Sequence, residues 1–344
     1  VKPGPSSTRD NAAPPGEREL IASIRARVST PPWLAVGIGD DAAVAKPERG
    51  ALEILTTDAL VESVHFDRRL SSPADIGWKA LAVNLSDIAA MGGTPRLALL
   101  SLGLPETMPA ADVHALLDGL LALAAEARVA LAGGNITRSP GPLFVDVTVT
   151  GFARPRHVLT RGGGKPGDEL YVSGSVGAAA AGLAAWRAGA LDDGRAAAIP
   201  GLDACVARHR RPEPRVRLGA LLGRNRAASA CMDLSDGLAD AVTQVAAASG
   251  TGAQIDAAAL PIAPAARAWF ETAGADPVVS AAAGGDDYEL LFAVPRRARG
   301  RLATVARQSR GVPITRIGVL TREPGVVLLR DGVPEPLPAG FVHF

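Results

Sequence analysis

Helix and strand signals alternate through both halves of this 344-residue chain, which predicts an α/β (α+β) protein of two domains. Three observations carry that expectation. The length exceeds one ordinary domain, and an apolar content of 47% is enough for more than one core. A Gly-, Pro- and Arg-rich stretch at 154–168 breaks the pattern near the middle. On either side of it, β-branched runs alternate with apolar residues at helical spacing.

The elements follow in order. Residues 1–16 are rich in Pro, Gly, Ser and charge and lack the apolar centre of a signal peptide, so a disordered tail is expected. Leu20, Ile21, Ile24 and Val28 recur at helical spacing and predict a helix over 17–28. Residues 51–57 read as a strand delivering Asp58 at its end. Ser72, Pro73 and Asp75 form a helix start, with a capping hydroxyl, Pro at the first position and an early acid. That helix should run to Met91 and stop at Gly92-Gly93. A strand at 96–104, a helix at 109–128 and a β-branched strand at 143–151 complete the first half.

The second half restarts with a strand at 169–173, a turn at 174–177 and an Ala-rich helix to 188. Residues 192–217 read as a polar linker. Helices are expected at 237–249 and 264–273, and strands at 290–294, 314–320 and 326–330. The division is therefore 1–16 tail, 17–155 first domain and 156–344 second domain.

Composition excludes several classes. A net charge of +1 without a Lys/Arg-rich run gives no reason to expect a nucleic-acid partner. The most apolar long stretch, 113–132, is broken by His114, Asp118, Glu126 and Arg128, which suits an amphipathic helix and argues against a membrane span. Cys205 and Cys231 match neither a disulfide framework nor a metal spacing, and read as small buried residues in a reducing compartment. A soluble cytoplasmic protein is expected.

Five acidic islands within apolar surroundings say most about function. They centre on Asp40-Asp41, on Thr56-Thr57-Asp58, on Asn84 with Ser86-Asp87, on Asp233 with Ser235-Asp236, and on Asp286-Asp287 with Glu289. An unpaired carboxylate among Val, Leu and Ile costs several kcal/mol, about what a buried polar group without a partner costs. No Lys or Arg lies within the islands. A hard divalent cation is the other way to offset the charge, and Mg²⁺ takes oxygen ligands while leaving positions for phosphate. A Mg²⁺–nucleotide phosphate site assembled from distant segments is the expectation. Taken singly, each island has an ordinary explanation. Asp87 suits a helix surface beside a buried stripe, Thr57-Asp58 a turn, and Ser235 the cap of the next helix.

Other motifs are weaker. Gly133-Gly134-Asn135 permits close backbone approach to a ligand and adds an oxygen donor, although glycine pairs also break loops. The run 160–166 is not a phosphate-binding P-loop, because the full pattern is missing and Pro166 follows Lys165. Arg161 within it can still reach a phosphate. His65 stands alone, and no Ser-His-Asp, Cys-His or zinc set is present.

Taken together, the motifs resemble the thiamine-monophosphate kinase family over residues 17–344. The stretches that carry the resemblance are 37–41, Thr57-Asp58 with His65-Phe66, 79–92, 159–161, 165–168, 233–237, 284–290 and 340–344. The wider superfamily includes aminoimidazole ribonucleotide synthetase, selenophosphate synthetase and a hydrogenase-maturation dehydratase. This chain lacks the reactive N-terminal Cys of the second and the C-terminal Cys of the third.

The resemblance implies transfer of the ATP γ-phosphate to thiamine monophosphate, giving thiamine diphosphate. It also implies an N-terminal ATP/Mg-binding domain that pairs with its twin in a homodimer, the two sheets closing a barrel. The second domain, with a C-terminal segment, would cover the cleft. By position, Asp41, Thr56, Thr57, Asp58, Asp87, Asp233 and Asp236 would be Mg²⁺ ligands. Gly134, Asn135, Arg161 and Ser235 would contact ATP. His65, Asp286 and Asp287 would meet thiamine monophosphate, and Phe341 would stack on it. The family commonly has Asp where this chain has Asn135, which can coordinate through its carbonyl but brings no charge. Two alternatives remain: a related ATP-using ligase or dehydratase, and a binding protein without turnover.

Overall fold

The computed structural model describes residues 17–340 apart from 193. The expected tail and Phe341 lie outside the described residues. Helix α1 (Glu17–Arg27) and the short strands β1 (Leu34–Val36) and β2 (Val44–Ala45) lead into the first half. It continues with β3 (Leu52–Val61), α2 (Pro73–Ala90), β4 (Thr94–Pro105), α3 (Ala110–Ala127), β5 (Ala130–Ser139) and β6 (Phe144–Ala153). Strands β3, β6, β4 and β5 form a sheet in that order, with only the β4–β5 pair parallel.

The second half contains β7 (Glu169–Ser173), α4 (Ala178–Arg187), α5 (Leu202–Arg210), α6 (Val216–Arg224), β8 (Ala230–Asp233) and α7 (Leu238–Ser249). It continues with β9 (Gly252–Asp256), α8 (Pro264–Thr272), α9 (Pro277–Ala283), β10 (Leu290–Val294), α10 (Arg299–Gln308), β11 (Ile314–Thr321), β12 (Val326–Arg330) and β13 (Val333–Pro336). Its seven-stranded sheet runs β13-β12-β9-β11-β7-β10-β8, antiparallel except between β12 and β9. The mixed α/β class expected from the sequence is what the chain adopts. Among the described residues, no helix is long and apolar enough to cross a membrane.

Helix α2 starts as its residues require. The Ser72 hydroxyl accepts from the Asp75 amide, Asp75 accepts in return from the Ser72 amide, and Pro73 occupies the first turn. What the sequence pattern understates is its burial. Fourteen of its 18 residues are buried, so α2 has no solvent face. It packs on the four-stranded sheet and α3 from its own half, and on α6 and β8 from the other.

Small residues permit this. A Cβ placed on Gly77 would lie 1.8 Å from the Leu116 carbonyl oxygen, and one on Gly119 would lie 1.8 Å from that of Ala74. The α2–α3 crossing is therefore a backbone-to-backbone contact.

Three expectations change. Asp58 lies within β3, not at its end, because β3 stays paired with β6 through Val61 opposite Phe144. The linker expected at 192–217 contains α5 and the start of α6. Leu202, Cys205, Val206 and His209 of α5 recur at helical spacing and are buried, but their charged neighbours mask the pattern. The Gly133-Gly134 pair lies inside β5, where a Cβ on Gly134 would stand 1.9 Å from the Leu100 carbonyl oxygen. Strand pairing, not a ligand, is what demands that glycine.

Replacing Gly119 by Ala should lower unfolding free energy by roughly 1–3 kcal/mol, the usual cost of overpacking. Gly300→Ala in α10, where nothing lies within 4 Å, should instead be neutral or stabilise slightly. Urea denaturation of the two variants checks the contrast. Equal behaviour would argue against the close crossing.

Candidate active site

Three acids from three segments converge on the seam between the halves. Asp58 comes from β3, Asp87 from α2 and Asp233 from the end of β8. The Asp58 and Asp87 carboxyls face each other, and the charge of Asp87 bears on both Asp58 and Asp233. Thr56 donates to Asp87 at 2.5 Å, and Ser86 donates to Asp233 at 2.7 Å. Burial, reinforced by Asp87, pushes the Asp58 carboxyl up to about 6 and that of Asp233 up to about 7. Burial also raises Asp87, against the pull of its hydrogen bond from Thr56 and of the Arg161 charge. Arg161, reaching from the junction, lines the same cleft of about 430 Å³ as Thr56, Asp87 and Asp233, and is itself held by Gln244 at 2.5 Å.

Strand alternation divides the threonines. Thr56 and Asp58 turn to the face of β3 that meets α2, whereas Thr57 turns to the other face and contacts Thr148 at 3.0 Å and Asp146 at 3.3 Å. Three successive side chains of one strand therefore do not converge on one ion. Asp41, Gly134 and Asn135 line a separate cleft of about 960 Å³ on the Thr148 side, with Asp40 and Ser101.

A third cleft, of about 980 Å³, borders the acid cluster. Asp58, His65, Ser235, Asp236 and Asp286 line it. His65 accepts the Val61 amide at its Nδ1, 3.1 Å away. Ser235 does not cap α7; Gly237 holds the cap position and makes no side-chain cap hydrogen bond.

The fifth island differs from the others. Asp286 pairs with Lys79 of α2 at 3.0 Å and with His209 of α5 at 3.1 Å. Those neighbours hold its carboxyl well below the usual range against the opposing effect of burial. Lys79 also donates to the His65 carbonyl at 3.1 Å, so one buried ammonium ties together two segments of the third cleft. Glu289 is fully buried and pairs with Arg208 and Arg215 while accepting from Ser173 at 2.5 Å. Asp287 accepts the Gly177 amide at 2.6 Å and the Ala179 amide at 3.2 Å, at the start of α4. It is 1% exposed and does not line the cleft. Asp287 thus stands apart from the cleft, with both carboxyl oxygens turned to the helix terminus. Cationic partners do exist for this island, and they lie far away in sequence.

The donor set at the seam fits a hard cation, since all its atoms are oxygens and its carboxyls resist ionising side by side. Asp58, Asp87 and Asp233 adjoin one another, but among the described residues no group of three His, Cys, Asp or Glu side chains is arranged closely enough to hold an ion by itself. Mg²⁺ needs no such group, because it is commonly held by one or two carboxylates plus substrate phosphates.

Two linked domains of this geometry define the class. Residues 39–153 match the AIR synthase related protein N-terminal domain, and residues 165–331 match the corresponding C-terminal domain. The chain belongs to the thiamine-monophosphate kinase family within that class. It is 42% identical to the thiamine-monophosphate kinase of Escherichia coli K12, over 96% of this chain and 98% of that one. The crystal structure of thiamine-monophosphate kinase from Stenotrophomonas maltophilia superposes with a TM-score of 0.81 at 40% identity, covering 92% of this chain and 96% of that one. The structure of AaThiL complexed with AMPPCP and TMP gives 0.74 at 32% identity, covering 96% and 97%.

The acid cluster has a consequence for pH. Asp58 and Asp233 ionise at higher pH in the fold than the ordinary value of 3.8, so the unfolded chain loses its protons first as pH rises. Their contribution favours the fold at low pH and is lost between about 4 and 7. Without divalent cation, the unfolding midpoint should fall across that window. Mg²⁺ should restore more stability at about pH 8 than at about pH 5. Calorimetry at both pH values, with and without Mg²⁺, tests this, and an equal Mg²⁺ effect would count against the cluster as a cation site.

Proposed function

We propose that the protein phosphorylates thiamine monophosphate to thiamine diphosphate, using ATP. The observation that carries this reading is the convergence of Asp58, Asp87 and Asp233 beside a large cleft, in a chain whose full-length relatives are thiamine-monophosphate kinases. An oxygen of the substrate phosphate forms a bond to the ATP γ-phosphorus as the bond to the bridging oxygen breaks and ADP leaves. The acceptor is already an anion, so no general base is required. Mg²⁺, when bound, would neutralise charge between the two polyanions.

The chain's own residues divide the remaining work. Asp58, Asp87 and Asp233, with Thr56, would hold Mg²⁺ at the seam, and Asp236 lies at the edge of the adjoining cleft. Asp41, Thr57 and Asn135 would serve the cleft on the other face of the sheet, where Gly134 and Asn135 would contact ATP. Arg161 would meet phosphate near Asp87. Ser235, just before α7, would contact ATP from that helix start. His65 and Asp286 would contact the thiamine portion, and thiazolium as a cation favours that carboxylate. Phe341 follows Gly340, which packs on the start of α7 against Asp236 and Asp240.

A homodimer formed through the four-stranded sheet is part of the reading. Leu55 is 68% exposed and Leu99 37% exposed on the sheet face away from α2, which supports pairing there. We place the reaction in the cytoplasm, where ATP is supplied.

Incubation with ATP, Mg²⁺ and thiamine monophosphate should yield thiamine diphosphate by chromatography, and omission of Mg²⁺ should abolish it. ADP alone would point to another acceptor within the class. Asp58→Asn and Asp233→Asn should each reduce turnover by about 10²–10³-fold while leaving circular dichroism unchanged. Near-normal activity in either would remove the metal assignment. Asn135 is the specific feature that favours binding without turnover. Asn135→Asp should lower the Mg²⁺ concentration needed for half-maximal rate; a rise from negligible to substantial activity would favour the binding-only reading of the natural chain.

A further inference from the structure

The third cleft continues beyond His65 and Asp286 to a wall that no acidic motif marks. Helix α4 supplies Trp186 there, with Arg187 beside it. The guanidinium of Arg69, from the loop after β3, lies over the Trp186 ring 5.4 Å from its centroid. The contact therefore joins the first half to the second across the cleft. Arg69 is 80% exposed, and its second partner, Asp67, stands 2.6 Å away. Asp67 holds the guanidinium through Nε and Nη2, but the arginine stays exposed and the ring contact itself is not buried.

An indole face attracts cations through its negative quadrupole, and Trp is the strongest aromatic partner for this. A face that receives a flat guanidinium has the shape and electrostatics to receive another flat cation. Thiazolium is such a cation. Two other tryptophans also carry arginines: Arg96 lies 4.3 Å from the Trp33 ring and Arg211 lies 5.6 Å from that of Trp78. Neither of those rings lines the cleft that holds Asp58, Asp236 and Asp286. Position, not the stacking itself, separates Trp186 from them.

We propose that Trp186 is a specificity-determining residue, the platform on which the cationic ring of the substrate stacks, with Arg69 giving up that face and remaining paired with Asp67. The inference rests on the reading of the protein as a kinase of thiamine monophosphate. It assigns recognition of the organic cation to α4, at a distance in sequence from every motif that marks the phosphate chemistry.

Steady-state kinetics of Trp186→Leu and Trp186→Phe test it. Trp186→Leu should raise the KM for thiamine monophosphate about ten-fold, with kcat and the KM for ATP nearly unchanged. Trp186→Phe, which keeps an aromatic face, should recover most of that loss. An unchanged KM in Trp186→Leu, or a fall in kcat alone, would overturn the proposal. A titration of tryptophan fluorescence with thiamine monophosphate, without ATP, supplies a readout independent of turnover. Quenching should persist in Trp33→Phe and be lost in Trp186→Phe; quenching retained in Trp186→Phe would also overturn it. If the natural chain makes no thiamine diphosphate, the kinase reading fails by itself, and the fluorescence titration still decides whether Trp186 receives this cation.

Discussion

The burial of α2 is the constraint on which the rest of the structure depends. A helix covered on nearly every side cannot send polar side chains to water, so most of its polar residues meet partners from other elements; the buried Asn84 instead donates to the Ala80 carbonyl of its own helix and leaves its Oδ1 without a partner. Lys79 meets Asp286 and the His65 carbonyl, Ser86 meets Asp233, and Asp87 meets Thr56. These contacts reach both halves of the chain. The same burial that demands partners also aligns the elements carrying them. Close glycine crossings bring the backbones of α2 and α3 into direct contact beside these groups.

Two kinds of buried acid result, and their environments separate structure from chemistry. Glu289 is matched by two arginines and a serine, and Asp287 by two backbone amides. The charge of Glu289 is matched within the fold, whereas burial pushes the Asp287 carboxyl up to about 7 in spite of its two amide donors. Asp58, Asp87 and Asp233 sit together with hydroxyl donors and the more distant Arg161, and burial drives their carboxyls upward. What sets this cluster apart is that its acids adjoin one another without a buried Lys or Arg between them, and on the proposed reading a cation would take that place. Asp286 is intermediate: paired, yet bordering the cleft.

On the proposed reading the clefts divide the labour along the molecule, with phosphate met where β3, α2, the end of β8 and the start of α7 come together. The wall farther out offers an aromatic face and a carboxylate, groups suited to an organic cation. One half alone provides neither end complete, because Asp58 and His65 come from the first sheet region and Asp233, Asp286 and Trp186 from the second.

The sequence by itself determined the mixed α/β class, the caps and extent of α2, most of the strands, and the positions of the five acidic islands. Those signals are local: a capping box, β-branched runs and carboxylates among apolar residues are visible within a few positions. It also resembled its family closely enough to assign the expected chemistry. Tertiary structure alone decided which acids are satisfied. The partners of Asp286 and Glu289 lie tens to hundreds of positions away, so no local pattern displays them. Helix α5 was hidden because its buried stripe is short and its remaining residues are charged. Alternation along β3 sent Thr57 to the opposite face from Thr56 and Asp58, a consequence of strand geometry that appears only once the strand is known to continue past Asp58. Trp186 left no motif at all, because a single aromatic residue in an Ala-rich helix gains meaning only from the cleft that the fold builds beside it.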